Sequence, residues 1–185
     1  MTDGKKRSDS EKDKYFRVWN FYLHGLLMDF VGPNRRLWRG GRFMDTAIAI
    51  IIILLGALAW VGQLFSALVP LTAARLGLIE SEEMVDPAFY ADARGEAIWD
   101  SFVLWGLPLA GVLLLLEHPW WPHLGLAGGA IYLYFAGRGV ISRMMLRRRE
   151  IRIGLPSTAL VFNVALLLWG ISGGAMVALS LLARS

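Results

Sequence analysis

The chain has 185 residues, 56% of them hydrophobic and 18% charged, and its 19 lysines and arginines against 15 acids leave a formal charge of +4. Globular chains carry about 25% charged residues, and here charge is nearly absent from four segments, at about 46–69, 98–116, 124–137 and 158–183, which excludes an ordinary soluble domain. Cysteine is absent, which excludes disulfides, thiolate metal sites, thiol nucleophiles and iron–sulfur ligation.

Residues 1–14 are mixed-charge and have no apolar core. They read as a disordered cytoplasmic tail rather than a cleaved signal, with the first span acting as its own insertion signal. In residues 15–42, Tyr15, Trp19, Tyr22, Leu23, Leu26 and Phe30 recur at helical spacing while Arg17, Asn20 and His24 fall elsewhere on the wheel. This pattern predicts an amphipathic helix lying in the membrane interface. A loop follows in which Trp38 with Arg35, Arg36 and Arg39 forms an interfacial anchor able to attract anionic lipid headgroups.

The first span is the clearest element. Thr46–Val69 runs 24 residues without an ionisable group, and at 1.5 Å per residue it crosses a hydrocarbon core of roughly 30 Å. The connection at 70–97 has only Arg75 and Arg94 against Glu80, Glu82, Glu83, Asp86, Asp92 and Glu96. It reads as an acidic extracytoplasmic loop with a short helix, a break at Pro87 and a lead-in to the second span, with Asp92 as a cap. Ten basic residues before the first span place the N-terminus in the cytoplasm.

The third segment creates a conflict. Four spans put Arg138, Arg143, Arg147, Arg148, Arg149 and Arg152 outside, giving eleven basic residues inside and eight outside. Three spans with a re-entrant 124–137 give sixteen and three, a better fit to charge. Four spans are nevertheless preferred, because a helix drawn from Pro122 to Leu146 is long enough to cross if Arg138 and Arg143 snorkel. The expected fold is therefore an all-α integral membrane protein, with a bundle over 43–184.

Small residues suggest how the spans pack. Gly125 and Gly129, Gly170 and Gly174, and Gly106 and Ala110 each place two small side chains one turn apart, where helix backbones can approach closely. Polar residues inside the spans are few. With four spans, Gln63, Asp100, Arg138 and Asn163 all fall toward the outer half of the membrane, one on each helix. An Asp100–Arg138 pair would lower the cost of both charges, with the two amides adding hydrogen bonds. Around the turn after the second span, Glu117, His118 and His123 flank Trp120 and Trp121. Their spacing across two prolines matches no metal or haem pattern, whereas the tryptophans suit an aromatic belt.

No nucleophile–base set, phosphate loop or metal-binding repeat is present in the sequence. The expected function is a non-catalytic accessory or structural subunit of a membrane complex, without cofactor or metal. Its partners would be the lipid bilayer and further copies or other subunits, in the bacterial inner (plasma) membrane. Nucleic acid is not expected, since the basic residues flank spans. The alternative is an oligomeric channel or transporter whose polar site is Gln63, Asp100, Arg138 and Asn163.

Overall fold

The computed structural model describes residues 42–184. The tail expected at 1–14 and the amphipathic helix and basic loop expected at 15–42 lie outside the described residues, save Arg42, which opens the first helix. The elements in order are α1 (Arg42–Leu68), α2 (Pro70–Arg75), a 3-10 turn (Glu82–Met84), α3 (Pro87–Val103), α4 (Gly106–Leu115), α5 (Trp121–Arg148) and α6 (Pro156–Leu182). Among the described residues there is no strand, only an isolated antiparallel bridge between Val85 and Ile153. Four helices are long and apolar enough to cross a membrane: Met44–Leu68, Pro87–Leu115, Trp121–Arg148 and Thr158–Leu182. The chain is a membrane-type helical bundle. The second of these helices joins α3 and α4 across a break at Leu104 and Trp105.

Local chemistry sets the boundaries. Asp86 caps α3, its carboxylate accepting from the Ala88 amide at 2.8 Å, and Pro87 takes the first helical position, where a missing N–H costs nothing. The acidic stretch expected as a loop is thus helical from Pro87 onward. Asp92 lies within α3 and is no cap, and the break expected at Pro87 falls between the 3-10 turn and α3, of which Pro87 is the first residue. The third apolar segment, 124–137, is the middle of one continuous helix of 28 residues, about 42 Å long. Three helices end in the same way. Gly77, Glu117 and Glu150 adopt positive φ (72°, 52° and 58°) after α2, α4 and α5, with paired backbone bonds closing each end.

Packing sorts side chains by size rather than polarity, as expected where lipid is as apolar as the interior. On α1, Ala49, Ile52, Gly56 and Ala59 face inward, while Ile51, Leu54, Leu58, Val61 and Phe65 face outward. The most extensive contact is between α5 and α6; α1 packs on α3 and α4, and α4 on α5. The α5–α6 approach runs through Gly129 and Gly173: a Cβ at Gly129 would sit 2.6 Å from the Gly173 carbonyl oxygen. Gly125 lies on the same interface against Met176. Gly170 and Gly174 are looser, with nearest atoms at 3.1 and 3.7 Å from an added Cβ, so the tight partner is Gly173 between them. Gly106 meets Gly128, where α4 crosses α5.

Two prolines within the bundle expose carbonyls, and both carbonyls find side-chain donors. Pro108 has no N–H for the Leu104 carbonyl, and the Tyr132 hydroxyl donates to that oxygen at 3.1 Å and to the Gly56 carbonyl at 2.8 Å. Pro70 likewise leaves the Ser66 carbonyl free, and Arg94 donates to it at 3.0 Å and to the Ala67 carbonyl at 3.2 Å. Trp60 donates to the Ser101 carbonyl at 2.9 Å and Trp169 to the Leu55 carbonyl at 3.0 Å. In hydrocarbon these groups have no water to turn to, so the four side chains tie α1 to α3, α5 and α6, and Tyr132 also holds the break between α3 and α4.

Candidate functional site

The charged residues concentrate where α1 and α5 end and α3 and α6 begin. On α3, Asp92, Glu96 and Asp100 are spaced four residues apart and so share one face. Opposite them on α5, the Arg138 guanidinium pairs with the Glu96 carboxylate, and its second nitrogen lies 3.7 Å from Asp92 Oδ1. The side chain of Asp92 is 60% exposed and that of Glu96 26%. Glu96 is therefore the main counter-ion, since screening by water weakens the outer contact. Asp100, one turn deeper, lies within electrostatic range of both Glu96 and Arg138. Helices α3 and α5 are joined here chiefly by these side chains rather than by close backbone packing.

The expected four-residue site is only half assembled. Asp100 and Arg138 belong to one cluster, but Arg138's ion pairs are with Glu96 and Asp92. Gln63 and Asn163 are half-buried on α1 and α6, and among the described residues no hydrogen bond or ion pair joins either to the cluster.

A second basic residue lies further along α5. The Arg143 guanidinium stacks over the Phe162 ring at 4.5 Å and faces the Phe89 ring at 5.7 Å, which clasps α5 between α6 and α3. Near it is Glu80, a buried acid on the connection after α2. Burial pushes the Glu80 carboxyl above the usual glutamate range, and the Arg143 charge opposes that shift without cancelling it.

At the opposite end, His118 is exposed and its Nδ1 accepts from the Trp120 amide at 3.3 Å, while His123 packs against the Trp120 ring at a centroid distance of 5.8 Å. His118 is thus used locally in the turn between α4 and α5, and His123 in the first turn of α5. Among the described residues no three His, Cys, Asp or Glu side chains group to hold a metal ion.

Sequence reasoning missed Glu96, Arg143, Glu80, Arg94 and Tyr132. One signal was available for the last two: a proline in a span or just past its end marks a free carbonyl four residues earlier, and a donor must reach it. The Asp92, Glu96 and Asp100 spacing was also visible once the helix is started at Pro87.

Comparison with protein families, curated proteins and solved structures finds no match to this chain.

Proposed function

We propose that the chain is a non-catalytic subunit of a larger membrane assembly, a four-span bundle whose N-terminus is cytoplasmic in a bacterial plasma membrane. One observation carries the non-catalytic reading: the polar side chains that bridge the helices are spent on holding the bundle together, while among the described residues Gln63 and Asn163 join none of these contacts and Ser180 is buried without a hydrogen-bond partner. Tyr132, Trp60, Trp169 and Arg94 are committed to backbone carbonyls, and Arg138 to Glu96. Between the charged seam and the opposite end, the interior is filled by Leu104, Leu107, Ala110, Tyr132 and Met176, all fully buried. A conduit would need a polar face continuing through that layer.

The four-span topology draws support from the Val85–Ile153 bridge, which joins the connection after α2 to the connection after α5. Both connections then share one membrane face, whereas a re-entrant third segment would separate them.

Mass measurement after extraction in a mild detergent tests the subunit reading. A defined hetero-complex is the expected result, lost when residues 1–31 are deleted while the spans stay membrane-integrated. A monomer of the intact chain would overturn it. The channel or transporter alternative rests on the shared cluster of Asp100 and Arg138. Flux into vesicles that falls on Asp100→Asn would favour it.

A further inference from the structure

The two connections at the seam end are fastened by an unusual buried group. Val85 and Ile153 are 2% and 3% exposed where they form their bridge, and the Asp86 amide donates to the Arg152 carbonyl at 2.8 Å. Beneath this junction lies Glu80, 9% exposed, with Oε1 buried and without a hydrogen-bond partner. Its carboxyl group sits directly on the Cα of Gly154, in the space a Cβ would occupy. Gly154 has φ +99°, a conformation open to glycine and strained for other residues. The nearest cation is turned elsewhere: Arg143 stacks on Phe162 and Phe89, and no ion pair joins it to Glu80 among the described residues. A carboxylate that is desolvated, unpaired and short of one hydrogen bond is costly, and a neutral carboxyl in the same place costs much less.

We propose that Glu80 is a proton-operated clasp: seated neutral on Gly154 it holds residues 78–86 against residues 151–154, and its ionisation loosens that junction. The charged groups around it set the direction. From α5, Arg143 favours the ionised form; Arg147, further along α5, and Glu96, from α3, act on the Arg143 guanidinium itself. On the facing turn Arg152 and Glu150 are exposed, as are Glu82 and Glu83 on Glu80's own segment, so water screens them. The first turn of α6, Pro156–Leu160, has no ionisable side chain. Burial outweighs Arg143, and the closed clasp holds its proton more tightly than the open one does. Closure is therefore fully favoured below the ordinary glutamate value of 4.5, weakens as pH rises from there, and levels off once the closed form has ionised too. On the proposed orientation, acid outside the cell tightens the clasp; the test below does not depend on that orientation.

Hydrogen exchange of the Asp86 amide, measured on the full-length chain in detergent from about pH 4.5 to 8 and corrected for intrinsic exchange, reads the clasp directly. Protection should fall with rising pH, by at most about tenfold per unit for one proton, and then level off. Glu80→Gln, neutral at every pH, should hold protection constant, and Gly154→Ala should lower it throughout. Protection that is flat or rising in the unmodified chain would overturn the proposal without reference to any variant. A Glu80→Gln profile that falls as the unmodified one does, or a Gly154→Ala profile equal to the unmodified one, would overturn it as well.

Discussion

Pro108 breaks the second span, yet it leaves no carbonyl stranded, because Tyr132 reaches across from α5 to the Leu104 oxygen. The hydroxyl is thus a replacement for a missing amide. Tyr132→Phe should lower stability in detergent by about 1 kcal/mol, the scale of one hydrogen bond inside a membrane bundle. The same substitution should cost less in a Pro108→Ala background, where residue 108 regains an N–H able to bond Leu104. Thermal unfolding of the four combinations checks this, and equal costs in both backgrounds would break the connection between the two residues. Glu117 offers a gain instead. It holds φ 52° and lies within electrostatic range of Asp45, so Glu117→Gly should remove both backbone strain and like-charge repulsion. Stabilisation of about 1 kcal/mol is expected from the left-handed backbone alone.

At the scale of helices, close approach decides which glycines matter. An added Cβ at Gly128 would sit 2.7 Å from the Leu107 amide nitrogen and one at Gly129 would sit 2.6 Å from the Gly173 oxygen, both unyielding backbone atoms. Alanine at either should destabilise the bundle by about 1–3 kcal/mol through overpacking. Gly62 and Gly137 meet nothing within 4 Å, so alanine there should be neutral or gain up to about 1 kcal/mol in helix propensity. Melting temperatures of the four variants separate the two groups. The seam makes its own prediction: Glu96→Gln and Arg138→Gln should be non-additive by about 1 kcal/mol, whereas Asp100→Asn with Arg138→Gln should couple less. The apolar runs were legible in the sequence because nothing else excludes charge over such lengths. The seam was only half legible. Hydropathy starts the second span at residue 98, which divides the carboxylate row between Glu96 and Asp100 and leaves Asp100 as the apparent partner of Arg138. The helix in fact starts at Pro87, fixed by the Asp86 cap, a local signal that an average over a polar stretch conceals. The small-residue pairs located the α5–α6 interface but not its register, since Gly170, Gly173 and Gly174 are indistinguishable by spacing until a partner helix is placed against them.

For the whole molecule, the proposed architecture is a four-span bundle with the connections after α2 and α5 on the same face, fastened by Val85 and Ile153. The side-chain ties to backbone carbonyls make the spans a mutually braced set, which suits a structural subunit better than a moving carrier. The absence of cysteine makes the topology directly measurable. Single cysteines in place of the exposed Glu83, Arg149 and Glu117 can be treated with an impermeant thiol reagent on intact cells. With four spans, Glu83→Cys and Arg149→Cys should label alike from outside and Glu117→Cys only after permeabilisation. Labelling of Glu83→Cys without Arg149→Cys would place the two connections on opposite faces and rule out the four-span bundle.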